Sequence, residues 1–181
     1  MTESAQPGDG LRCLFLGDQL LAVECASTAR TAGLSVAAVL SNDARTLELA
    51  SARGFKTHSD VEPSEVAGLI RDHRADVLVT VAYERVLPDE AIGAARFAIN
   101  FHDGPLPLYG GLNAPTWAIH QDAAWYGVTW HLITTQVDRG DIVVEETFPI
   151  RPDETAFSLN ARCYQAGIDT FGLVARALVE G

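Results

Sequence analysis

Lysine is almost missing from this chain: Lys56 is the only one in 181 residues. Counting arginine, 13 basic residues face 24 acidic ones, for a formal net charge of −11. A surface this acidic repels a phosphate backbone, which argues against nucleic acid as a partner. Long apolar runs are absent too. None reaches the roughly 18 residues that a membrane-spanning helix needs, and Met1 to Gly10 lacks the charged-then-apolar order of a signal peptide. These absences lead us to expect a soluble, cytoplasmic protein with no membrane partner. Cysteine is scarce, and Cys13, Cys25 and Cys163 have no C-x-x-C spacing. Their apolar surroundings suit buried thiols better than disulfides or zinc ligands. Two motifs are also missing. Gly17-Asp18-Gln19 is not a G-x-G-x-x-G, which weakens a dinucleotide reading. No G-x-S-x-G supplies the sharp turn of a serine hydrolase nucleophile.

What is present is ample core material, 48% hydrophobic residues in a length that suits one domain. Residues 1–10 are polar and read as a disordered leader, leaving residues 11–181 as a single domain. Short apolar runs at Leu11 to Leu16, Leu34 to Leu40 and Asp76 to Ala82 read as strands. Between them, Leu20 to Ala32, Arg45 to Ala52 and Pro63 to His73 read as helices, the first with a stripe of Leu21, Cys25, Thr28 and Ala32. Near-continuous apolar strands alternating with helices predict a parallel sheet covered on both faces, a Rossmann-like α/β first half. Later, Asn113 to Gln121 should be a helix capped by Asn113, with Pro115 in its first turn. Tyr126 to Thr134 and Asp141 to Ile150 alternate and are close enough to form an antiparallel hairpin. A final amphipathic helix, Asp153 to Leu178, places Phe157, Ala161, Tyr164, Ile168, Phe171, Val174 and Leu178 on one stripe, with Asp153 and Glu154 at its N-terminus.

The chain's chemistry centres on Phe97 to Gly111. Phe97, Ile99 and Phe101 alternate with Ala98, Asn100 and His102, so Asn100 and His102 share one face of a strand. A loop of three glycines and two prolines follows, Gly104 to Gly111, whose backbone can come close to a ligand. An amide beside an imidazole at a strand's carboxyl end suits chemistry at a carbonyl. An isolated N-x-H, however, more often marks a polar strand end. A metal site of His102, His120, His131 and Asp138 is disfavoured because no pair has the spacing of a metal motif. His131, between Trp130 and Leu132, reads as a satisfied structural histidine.

Asn-x-His followed by the glycine- and proline-rich loop, then Gly127-Val128-Thr129-Trp130-His131 and Val137-Asp138-Arg139-Gly140-Asp141-Ile142, resembles the 10-formyltetrahydrofolate-dependent formyltransferases. Asp138 follows His102 by 36 residues, the spacing that resemblance leads one to expect. It implies a Rossmann-like formyltransferase fold, 10-formyltetrahydrofolate as cosubstrate, and an amine as acceptor. Formyl transfer to an amine passes through a tetrahedral carbon bearing an oxyanion. Asn100 and His102 would donate to that oxygen, and Asp138 would support a charged imidazole or hold the amine's proton through a water. The resemblance also places the pterin ring beside Tyr83, Arg85, Val86 and Leu87, with Val137 and Asp141 as further folate contacts. Asp103 and Gly104-Pro105 depart from the proline and Ser-Leu found in many members. The acidic charge and the end at Gly181 argue against tRNA as acceptor. The order F-H-D-G-P-L-P-L-Y-G-G-L-N-A-P-T-W-A-I, G-V-T-W-H, L-N-A-R-C-Y is most similar to amino-terminal formylation domains of nonribosomal peptide and hybrid polyketide synthetases. Those act on a carrier-bound aminoacyl thioester. A stand-alone enzyme for an amino sugar or hydroxyornithine, a formyl hydrolase, or a non-catalytic folate-binding module would share much of this pattern.

Overall fold

The computed structural model describes residues 10–180, so the leader expectation falls, apart from Gly10, outside the described residues. Seven strands form one sheet: β1 (Arg12–Leu16), β2 (Ser35–Leu40), β3 (Thr57–His58), β4 (Val77–Val81), β5 (Phe97–His102), β6 (Trp125–Leu132) and β7 (Ile142–Pro149). Their order is β3-β2-β1-β4-β5-β6-β7. The ladders joining β1 to β5 are parallel, and β6 pairs antiparallel with both β5 and β7. Every residue of β4, VLVTV, is buried, because a parallel strand in mid-sheet is covered on both faces and has no reason to alternate. Six helices connect the strands: α1 (Leu20–Thr31), α2 (Ala44–Ala52), α3 (Val66–Asp72), α4 (Asp89–Ala94), α5 (Ala114–His120) and α6 (Ala156–Glu180). One face of the sheet packs under α1 and α6, which touch each other, α2 and α5; α3 and α4 pack together over the other. Helices therefore lie on both faces, as the alternation predicted.

Four local expectations are corrected. On α1 the buried face is broader than the predicted stripe, taking in Ala22, Val23, Ala26 and Ala29. Small side chains let the helix lie flat on the sheet. On α6 the buried residues include Leu159, Cys163, Ala166, Thr170, Phe171 and Val174, whereas Phe157 is 85% exposed. Two apolar arcs overlap on this helix. The sheet takes the one whose Phe171 meets Trp130 at 5.0 Å and Phe15 at 5.8 Å, and whose Thr170 accepts from the Trp130 indole at 3.1 Å. Asn113 stands before α5 in the left-handed region (φ 58°) and its side chain makes no capping bond. The start of α6 is closed by Thr155 and Ser158, each backbone N–H donating to the other's hydroxyl at 2.9 and 3.2 Å. Asp153 does not contribute there, and Glu154 instead ion-pairs with Arg162. The three cysteines are buried and unbridged.

Candidate active site

Strand register assembles the site. Thr80 on β4 pairs with Asn100 on β5, and Asn100 pairs with His131 on β6. Register partners share a face, so three polar side chains lie in a row across β4, β5 and β6. The Thr80 hydroxyl donates to Asn100 Oδ1 at 2.6 Å, and Asn100 Nδ2 meets His131 Nε2 at 3.1 Å. His131 Nδ1 lies 2.9 Å from the Leu132 carbonyl. A carbonyl only accepts, so Nδ1 carries the proton and Nε2 accepts from the Asn100 amide. The amide is thereby fixed, with one N–H given to His131 and the second available. Burial pushes the His131 imidazole below its ordinary pKa, keeping it the neutral acceptor this row requires.

His102 follows on the same face. Its Nε2 donates to the Tyr109 carbonyl at 2.5 Å, which turns Nδ1 toward Asp138 Oδ2 at 3.8 Å. The loop after β5 folds tightly against this ring. A Cβ at Gly104 would stand 2.9 Å from His102 Nε2 and 3.0 Å from the Tyr109 carbonyl, so no larger residue fits unchanged. Thr129 on β6 pins the loop by donating to the Gly104 carbonyl at 2.8 Å and accepting from Leu106 N–H at 3.1 Å. Asp138 sits in the β6–β7 turn in the left-handed region (φ 53°). Its Oδ2 accepts from Gly111 N–H at 2.7 Å and its Oδ1 lies 3.7 Å from His131 Nε2. Beneath it the turn closes with Leu132 N–H donating to the Asp141 carbonyl at 2.9 Å.

Asn100, His102 and Asp138 thus line one cavity of about 620 Å³, and Tyr83, Arg85, Val86, Leu87 and Val137 line it as well. Asp141 does not. Its carbonyl is used in the hairpin and its side chain is exposed, because the chain has already turned back into β7. The Arg85 guanidinium is engaged by Glu62. His120, at the end of α5, is outside the cavity lining, whereas His131 is satisfied as predicted yet stands inside it. The walls fit a flat heterocycle with polar edges: Val86, Leu87, Ile92 and Ile133 are apolar, and the buried Tyr83 hydroxyl has no partner among the described residues. Thr80 and Asn160 also belong to the cavity and went unnoticed in the sequence. For Thr80 a signal existed, a lone hydroxyl at the carboxyl end of an apolar strand.

Comparison with known proteins follows the same line. Methionyl-tRNA formyltransferase from Chlorobium luteolum is 33% identical over 123 residues, covering 67% of this chain and 39% of that protein. Its counterpart from Trichlorobacter lovleyi is 31% identical over 137 residues, covering 74% and 43%. The chain therefore spans about two fifths of the length of the curated relatives it matches. Among solved structures, glycinamide ribonucleotide transformylase 1 from Symbiobacterium toebii shares the fold, with a TM-score of 0.88 at 22% identity over 96% of this chain and 90% of that one. The formyl transferase family matches residues 16–174, and its members use 10-formyltetrahydrofolate as formyl donor. Since that match runs from the end of β1 into α6 and takes in Asn100, His102 and Asp138, the chain belongs to the formyl transferase family.

Proposed function

We propose that this protein is an N-formyltransferase that moves a formyl group from 10-formyltetrahydrofolate to the α-amino group of an aminoacyl thioester held on a carrier protein. One observation carries the transfer chemistry: the available N–H of Asn100 and Nδ1 of His102 converge with the Asp138 carboxylate in one cavity. The cosubstrate brings the formyl carbon; the protein's part is to hold charge and protons around it. Asn100, its amide locked by Thr80 and His131, donates to the oxygen on which negative charge develops. His102, as an imidazolium with Nε2–H given to the Tyr109 carbonyl, adds a second donor at Nδ1 in this reading. Asp138, 3.8 Å from that nitrogen, is where a proton leaving the amine is held. Tyr83, Arg85, Val86, Leu87 and Val137 form the folate wall of the cavity in this reading.

The choice of acceptor is supported by what the cavity lacks. Arg85 is the only Lys or Arg among its lining residues, and Glu62 already engages it. A ribonucleotide or nucleotide-linked sugar would bring phosphates with no unpaired cation to meet them. Leu112 and Phe157 line the cavity while remaining exposed, which makes an apolar rim for a thin arm and an aliphatic side chain. The net charge of −11 disfavours tRNA. The carrier is expected to dock weakly, through a small interface. Its tether raises the amine's effective concentration, so the free amino acid should react more slowly. The test compares formylation rates for a carrier-bound aminoacyl group, the free amino acid and a nucleotide-linked amino sugar. We expect the first to be fastest; preference for the amino sugar would overturn the acceptor and leave the transfer chemistry in place.

A further inference from the structure

Asp103 is a cavity-lining carboxylate that the three residues above do not explain. It directly follows His102, faces the same cavity as Asn100 and Asp138, and is held by Asn160 of α6, whose Nδ2 donates to Asp103 Oδ2 at 2.9 Å. That is the single side chain bound to it among the described residues. The acidic side chains lining the cavity are Glu84, Asp103 and Asp138, against Arg85, which is neutralised by Glu62. Even with His102 charged, as in the transfer reading, the lining carries more acid than base and suits a cation. An amine in water is a cation, and Asp103 offers it a carboxylate in the same cavity, next in sequence to His102.

We propose that Asp103 is a specificity-determining residue of the acceptor site, its carboxylate accepting a charge-assisted hydrogen bond from the ammonium form of the incoming amine. The inference rests on the formyl-transfer reading and deepens it by naming what reads the acceptor. Asn160 acts as a positioning residue, leaving Asp103 Oδ1 for the substrate. The electrostatics agree with the placement. Burial raises the Asp103 carboxyl above the ordinary aspartate value, with His102 and Asn160 opposing that rise and Asp138 adding to it. In turn the Asp103 charge helps to raise Tyr126, Tyr164 and Cys163, whose main shift comes from burial. A carboxyl kept at this disadvantage, where an amide would hold Asn160 equally well, is the pattern of a group retained for binding rather than stability.

The test uses Asp103→Asn, which conserves shape and the Asn160 bond and removes only the charge. Two probes are titrated calorimetrically into the full chain: the valyl thioester of N-acetylcysteamine and its amine-free isovaleryl counterpart. A lost charge-assisted hydrogen bond corresponds to about a tenfold to hundredfold weaker affinity. We expect that loss for the valyl probe alone, with isovaleryl and folate affinities unchanged. Equal valyl affinity in both proteins, or equal losses for both probes, overturns the proposal. If the variant does not fold, carbon-13 titration of Asp103 in the wild type replaces it; saturating valyl probe should lower the midpoint, and an unmoved midpoint overturns the proposal. A wild type that binds valyl through Asp103 yet never formylates it would instead refute the transfer reading, which keeps the two failures distinct.

Discussion

Asn100 gives one amide hydrogen to His131 and, in the proposed mechanism, the other to substrate, which makes its substitution the sharpest at the residue scale. Asn100→Ala should lower kcat by about a hundredfold to a thousandfold, the cost of one oxyanion donor. Folate affinity and the circular-dichroism spectrum should stay unchanged. His131 predicts a pH effect. Its fold-state pKa is lowered, so as pH falls through the ordinary imidazole range near ~6.5 the unfolded chain takes up a proton first. Stability from this group is complete above that range and declines as pH drops toward the lowered value. His73, lowered mainly by burial and then by His58, acts in the same direction. Urea denaturation between pH 8 and pH 5 should show this slope, and His131→Gln should reduce it; an identical slope in the variant would contradict the assignment. The proton would also enter at Nε2, opposite the Asn100 amide, so transfer should fail together with stability.

At the scale of elements, the β6–β7 turn is the most constrained piece. A Cβ at Gly140 would lie 1.7 Å from the Leu132 carbonyl oxygen, so Gly140→Ala must open the hairpin that presents Asp138. A loss of about 3 kcal/mol or more is expected. Gly68, inside α3, has nothing within 4 Å of a built Cβ, and Gly68→Ala should stabilise by about 0.5–1 kcal/mol. Urea midpoints of the two variants, moving in opposite directions, check both. The same elements explain what could be read in advance. Strands β1, β2 and β4 were legible because burial on both faces writes a continuous apolar run, and β5 because Phe97, Ile99 and Phe101 alternate with Ala98, Asn100 and His102. Strand β3, Thr57–His58, and α4, Asp89–Ala94, are too short to carry a period. Asn100 and His102 were legible as a pair because a strand repeats every two residues. Thr80, 20 residues from Asn100, and Asn160, 57 from Asp103, find their partners only through sheet register and helix packing, which no local pattern encodes.

For the whole molecule, topology decides where the chemistry sits. Strand order runs β3-β2-β1 one way and β4-β5 the other, and the reversal opens a crevice at the strands' carboxyl ends. The cavity extends from Gln19, just past β1, through Tyr83 after β4 to Asp103 after β5. Among the described residues no helix is long and apolar enough to cross a membrane. The α/β layering was legible from composition and alternation; the meeting of Asp138 with His102 was implied by family resemblance, since their spacing alone does not dictate contact. The most direct measurement is single-turnover formyl transfer, followed by mass spectrometry, from 10-formyltetrahydrofolate to a valyl-loaded carrier protein. Wild type should convert the valyl group to its formyl derivative, and Asn100→Ala, with the same folate affinity, should do so at least about a hundredfold more slowly. A wild type that binds folate but releases only formate, or an Asn100→Ala variant as fast as wild type, would contradict the account.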